Sequence, residues 1–201
     1  MTKEDIIQNA LKQFLLNGIR KMTIQQIIAP LGISTKTVYK HFNSKEELLE
    51  ACLVIHYGRM SQEFNDFGRS DMDPANRLFF IFFKGLEEDF KAAPVFYHDL
   101  NYYYPEIHDN VLSKYQEIYH KFIINAIKDG IDQGYFHPEL HEPVVLETLG
   151  LLYRSLTRTG QYDKFELSPF DLVANTLTIY LRGICTAKGI KILNNLKPLS
   201  S

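Results

Sequence analysis

Nearly every strong boundary signal in this chain marks the start or the end of a helix, which directs it toward an all-α fold. Thr23-x-x-Gln26 and Ser44-x-x-Glu47 read as capping boxes, in which each side chain satisfies an otherwise orphan backbone N–H. Asp73-Pro74 and Ser168-Pro169 place a cap residue before a proline, which loses no hydrogen bond at the first helical position. Gly18, Gly68, Gly134 and Gly160 supply stops. Strand signals are missing: no period-two alternation is sustained, and no Asn-Gly or Asp-Gly turn sits between alternating apolar runs. Apolar residues instead recur at helical spacing, predicting about nine helices at 3–17, 24–30, 35–42, 45–66, 74–91, 95–103, 106–132, 143–158 and 169–187. After Lys188 the chain is expected to fray, and Pro198 ends any helix there.

An apolar share of 45% is ordinary for a globular protein and argues against disorder. The strongest apolar run, Leu78 to Phe83, is far shorter than the roughly 20 residues a membrane span needs. The start Met1-Thr2-Lys3-Glu4-Asp5 shows no signal peptide, and Cys52 and Cys185 are expected as buried, reduced thiols. These features predict a cytoplasmic protein with no membrane partner.

Charge divides the chain. From Ile6 to Lys45 there is no Asp or Glu, while Lys12, Arg20, Lys21, Lys36, Lys40 and Lys45 are basic. Residues 1–45 balance at +5, so the remaining 156 must carry −7 to give the total of −2. Acids are excluded from a surface that must approach a polyanion, because each carboxylate would repel phosphate.

Within the acid-free stretch, Thr23 to Phe42 has the form of a helix-turn-helix, with Gly32 as the tight turn and Leu31 and Ile33 buried around it. In a helix over 35–42, Val38 and Phe42 share the face that packs inward, and Lys36, Thr37 and Lys40 share the opposite one. Such a helix would be a fitting length for a major groove about 12 Å wide. Tyr39 and His41 flank the outward face, and Ser34 caps the helix, whose positive N-terminal end attracts phosphate.

Thr23-x-x-x-Ile27, Gly32-Ile33-Ser34-x-x-Thr37-Val38-Tyr39-x-His41-Phe42 and Ser44-Lys45-Glu46-Glu47-Leu48-Leu49 together resemble the signature of the TetR family of bacterial transcriptional regulators. The resemblance implies a three-helix DNA-binding head on a larger helical body that binds a small ligand and dimerises through its last two helices. By position it makes Thr37, Tyr39, His41 and Lys45 contacts to DNA, adds Thr23, and puts Thr35 and Lys36 at the positions that vary with the operator. Two residues depart from the pattern. Ile28 stands where a small alanine is usual, and Pro30 removes an N–H from the end of the second helix, which should be short or irregular there. The expected domains are a head at 1–46, a ligand-binding and dimerisation body at 47–190 and a tail at 191–201.

The body is rich in aromatics. The resemblance makes the fifth to seventh helices the walls of a pocket, with Phe79, Phe83, Phe90, Tyr97, Tyr103, Tyr115, Tyr119 and Phe122 as candidates for a small, partly aromatic or apolar ligand. The eighth and ninth helices carry broad apolar stripes with Gly150 and Gly183 as small residues. Val145, Leu149, Leu152, Leu156, Val173, Leu177, Tyr180 and Leu181 are the candidate homodimer face, which would double the recognition helix across a palindromic site in double-stranded DNA.

Two histidine patterns invite another reading. Glu117-x-x-His120 has the spacing of a carboxylate-bridged metal site, but no second Glu-x-x-His exists, and His137-Pro138-Glu139-Leu140-His141-Glu142 reads as a loop. No phosphate loop, nucleophile elbow or Cys-x-x-Cys is present. The chain therefore reads as a ligand-responsive transcriptional repressor, not an enzyme, with no metal or cofactor; the alternative is a helical-bundle carboxylate metalloenzyme.

Overall fold

A computed structural model describes residues 2–68, 72–157 and 161–195. Among these residues it is all-α, with helices α1 (Lys3–Asn17), α2 (Ile24–Ile28), α3 (Thr35–Tyr39), α4 (Lys45–Gly68), α5 (Pro74–Lys91), α6 (Pro94–Tyr103), α7 (Pro105–Asp132), α8 (Glu142–Thr157), α9 (Pro169–Asn175), α10 (Leu177–Ile184) and α11 (Ala187–Leu193). The stop expected at Gly160 and the segment from Leu196 onward, with Pro198, lie outside the described residues. No described helix is long and apolar enough to cross a membrane.

Three boundaries differ from the periodicity. The predicted helix over 35–42 ends at Tyr39. The amides of His41 and Phe42 both turn to the Val38 carbonyl (2.9 and 3.0 Å), which swings Phe42 into the core at 2% exposure. The predicted helix over 169–187 breaks into α9 and α10 at Thr176, whose φ of −130° and ψ of −85° are not helical. The chain after Lys188 does not fray at once: α11 runs to Leu193.

Pro30 acts as its chemistry requires. With no N–H at Pro30, the amide of Ala29 turns to the carbonyl of Gln26, three residues back, and a 3₁₀ turn over Ala29–Leu31 closes the short α2. Gly32 then takes φ +63°, the left-handed conformation that joins α2 to α3.

The chain forms two compact units. The first comprises Met1–Ser61 with Phe90–Gln116, and the second Gln62–Asp89 with Glu117–Ser201. In the first, Ile6, Ala10 and Phe14 of α1, Ile27 of α2, Val38 of α3 and Leu48, Leu49 and Leu53 of α4 are wholly buried in one core. Phe96 and Leu100 of α6 and Val111 of α7 belong to that same core.

In the second unit, Phe79, Phe80, Phe82 and Phe83 of α5 are all buried. Phe79 and Phe83 stack (6.0 Å between centroids), and both meet Phe170 edge-on. Its C-terminal part is held by backbone. His137 donates to the Ile184 carbonyl, Thr186 donates to the Tyr135 carbonyl, and Lys188 Nζ donates to the Gln133 carbonyl while lying over the Tyr135 ring. Cys52 and Cys185 are buried free thiols; burial raises both, Cys185 to about 12.

Among the described glycines of this unit, Gly130 leaves the least room for a side chain. A Cβ there would collide with the Phe136 ring. Gly130→Ala is therefore expected to cost about 1–3 kcal/mol, the usual range for overpacking. Thermal unfolding of the variant is the check, and an unchanged midpoint would contradict this packing.

Candidate nucleic-acid interface

The head presents its basic residues outward on a scaffold of capped helices. Thr23 Oγ1 accepts the Gln26 amide (3.3 Å), and Gln26 Oε1 accepts the Thr23 amide (2.9 Å), completing the capping box of α2. Ser34 Oγ accepts the Thr37 amide (3.3 Å) at the start of α3. Burial of Val38 and Phe42 fixes which face of α3 looks out, because the two anchor one side of its winding.

The nine sequence-predicted contact residues fall into two groups. Thr23, Ser34, Thr35, Lys36, Tyr39, Lys40 and His41 are exposed, and Thr37 is half-buried beside Ser34, 3.1 Å between the two hydroxyls. Lys36 stays on α3, whereas Lys40 and His41 lie in the turn beyond its end. A further cation, Lys3, sits over the Phe42 ring (5.0 Å) and brings the start of α1 to the same region.

Lys45 is the exception. It is half-buried, and its ammonium donates to the carbonyls of Ile19 (2.8 Å), Arg20 (3.3 Å) and Met22 (3.0 Å). All three of its protons are thus committed to the loop between α1 and α2, so it is not a free phosphate ligand. Burial lowers its pKa, while Glu46 and Asp99 oppose that shift.

The other face of this loop is held by a residue the sequence did not single out. Asp99 of α6 is buried, and its Oδ2 accepts the amides of Ile19 and Arg20, each at 2.8 Å. Four residues on, Tyr103 carries the Arg20 guanidinium on its ring (4.3 Å) and accepts a hydrogen bond from it. Periodicity gives no sign of Asp99's role, since its partners are backbone amides.

The candidate pocket residues are divided between the two units. Phe79, Phe83, Tyr119 and Phe122 belong to the second unit, where Phe79 and Phe83 pack on Phe170, and Tyr119 meets Phe64 edge-on (5.3 Å). Phe90, Tyr97, Tyr103 and Tyr115 belong to the first. Tyr97 packs against Phe96 (4.9 Å), and Tyr115 donates to the Val54 carbonyl (2.9 Å). Two of these expectations are corrected: Phe90 is 44% exposed, and Tyr103 is committed to Arg20. Phe170 and Tyr153 are further aromatics of the second unit. Tyr153 lies over Gly85 and donates to Asp89 (2.7 Å).

The candidate dimer face also needs correction. Val145, Leu149, Leu156, Val173, Leu177 and Leu181 are at most 4% exposed in the single chain, so they are its own core, and Leu152 and Tyr180 are half-buried. The large apolar side chains left outward on α8 and α10 are Val144 (58%), Leu151 (62%) and Ile179 (64%). No group of three or more His, Cys, Asp and Glu among the described residues is placed to hold a metal ion.

Residues 6–52 match the family model described as bacterial regulatory proteins, tetR family. The HTH-type transcriptional repressor KstR2 of Mycobacterium tuberculosis is 23% identical over 144 residues, covering 70% of this chain and 72% of KstR2. The structure of that protein, described as a ketosteroid transcriptional regulator, aligns at a TM-score of 0.61 with 22% identity over 91% of this chain and 94% of its own. The fatty acid degradation regulator FadR of Bacillus halodurans aligns at 0.70, with 21% identity over 90% and 94%.

The three carbonyls on Lys45 generate a prediction that needs no DNA. Lys45→Met keeps the stem but removes every donor. It is expected to lower stability by about 1–2 kcal/mol. A thermal midpoint equal to wild type would return Lys45 to a purely surface role.

Proposed function

We propose that this chain, whose residues 6–52 match the tetR-family model, is a DNA-binding transcriptional regulator of that family, a repressor that binds a palindromic operator as a homodimer and releases it on binding an apolar small molecule. The observation that carries this reading is the outward display of Lys36 and Lys40 on a head that has no acid between Ile6 and Lys45. In this reading Thr35 and Lys36 meet base edges, while Thr23, Ser34, Thr37, Tyr39, Lys40 and His41 meet the walls of the groove. Residues 1–46 act on DNA, and 47–190 bind ligand and dimerise.

For the ligand, the Phe79, Phe83 and Phe170 cluster favours an apolar molecule. The relatives described as a ketosteroid regulator and a fatty acid degradation regulator point to the same chemistry. We therefore assign the ligand to the fatty-acid-like or steroid-like class. Its effect requires unequal affinity for the two states of the dimer. For the dimer, Val144, Leu151 and Ile179 replace the buried stripe as the contact residues, with Gly183 facing open space. The metalloenzyme alternative has no support among the relatives, which are regulators.

Two experiments test this. A genomic-fragment selection should yield a palindromic site, and Lys36→Glu with Lys40→Glu should abolish binding to it while the protein stays folded, since both side chains are exposed. A folded double variant with normal affinity would remove α3 as the reading helix. Ile179→Arg with Leu151→Arg should convert a dimer to a monomer in sedimentation, at a cost of several kcal/mol per buried unpaired charge. A monomeric wild type at micromolar concentration would remove the two-fold mechanism.

A further inference from the structure

The loop from Gly18 to Met22 is held from both sides by opposite charges. Gly18 ends α1 with φ +77°, and a Cβ on it would stand 2.9 Å from both Asp99 Oδ2 and Val95 Cγ1. Glycine is thus required twice, for its left-handed backbone and for the closeness of α6. Beyond it, the Ile19 and Arg20 amides point at the Asp99 carboxylate, whose side chain is only 8% exposed. The carbonyls of Ile19, Arg20 and Met22 point at the Lys45 ammonium. Each charge meets the end of the peptide dipole that attracts it, and both bonds are of the charge-assisted kind.

The α5–α6 connection adds a third tie, since the Ala93 amide donates to the Leu15 carbonyl in the last turn of α1 (2.7 Å). The Arg20 side chain makes a fourth on Tyr103, one turn along α6 from Asp99. The held loop ends at Thr23, where the capping box starts α2 and the chain enters the helix-turn-helix.

We propose that Asp99 is a positioning residue for DNA binding: by fixing the Ile19 and Arg20 amides it sets where α2, and with it α3, stands on the head. It touches no DNA itself. This inference rests on the DNA-binding reading above. Removing the carboxylate leaves the buried Ile19 amide and the part-buried Arg20 amide without their acceptor, and Lys45 without its counter-charge across the loop. The head then keeps its surface charge pattern but loses its fixed geometry, so sequence-specific binding falls while charge-driven, non-specific binding persists.

The test uses the full-length protein with its selected operator and with a random duplex of equal length. Asp99→Ala and Asp99→Asn are compared with wild type by fluorescence anisotropy across a salt series. Asp99→Ala is expected to weaken operator binding roughly tenfold or more, about what one unpaired buried amide is worth. Random-duplex affinity and its salt slope should hold, and Asp99→Asn, which keeps an accepting oxygen, should recover part of the loss. Wild-type operator affinity in folded Asp99→Ala overturns the proposal. Equal weakening on operator and random duplex also overturns it, because that is a loss of charge or of folded protein. Should Asp99→Ala fail to fold, the isosteric Asp99→Asn decides: a selective loss on the operator supports the role, and wild-type binding overturns it. Failure of the wild type to bind any duplex would instead sink the DNA-binding reading.

Discussion

A helix-turn-helix head of some 45 residues cannot bury enough apolar surface to hold itself rigid, and the first unit is organised around that shortage. Its core does not stop at α3. Leu48, Leu49 and Leu53 of α4, Phe96 and Leu100 of α6 and Val111 of α7 complete it. The geometry of α3 is therefore set by residues far outside the helix-turn-helix. A protein built in this way has no independent head: whatever shifts α4 or α6 is felt where α1, α2 and α3 meet. Interiors packed this closely pass on displacements more readily than they absorb them.

Charge works alongside packing. The absence of acids between Ile6 and Lys45 leaves the outward face of the head electropositive, with Lys36 and Lys40 exposed. The inward side of the loop after α1 needs an anion, and it is supplied from α6, outside the acid-free stretch, as Asp99. A buried carboxylate spent on backbone amides puts no negative charge where phosphate approaches. Lys45 makes the complementary use of a cation, as a ligand for carbonyls. Charges near the motif thus serve two ends, and only burial and hydrogen bonding separate them.

Much of this could be read from the residues alone. The Thr23–Gln26 box forms as its spacing requires, and Ser168 accepts the Asp171 amide ahead of Pro169 as a cap should. Pro30 shortens α2 for the chemical reason that predicts it. The Ser44 box is shifted: Ser44 accepts the Glu47 amide, but the Glu47 carboxylate takes the amide of Asn43 instead. What stayed hidden has a common cause. Backbone has no residue type, so a side chain whose partners are amides or carbonyls, as with Asp99 and Lys45, leaves no pair to find in the sequence. The break at Thr176 is of the same sort, since the apolar period runs through it undisturbed.

The dimer face shows the sharpest limit of periodicity. A helix that packs on its own chain and on a partner needs apolar residues on two faces, and the moment of the pattern points at the deeper one. On α8 and α10 that face is Leu149, Leu177 and Leu181, which fold the subunit. The residues able to meet a partner are the apolar ones left over, Leu151 and Ile179 with Val144. In the proposed dimer, two-fold symmetry would make so few residues enough, because each contact occurs twice in an isologous interface. In that dimer Gly183, with nothing within 4 Å of where a Cβ would stand, would let a second helix come close enough for those contacts to form. Exposure within the single chain, read beside the apolar pattern, separates a residue that builds the subunit from one that can join two.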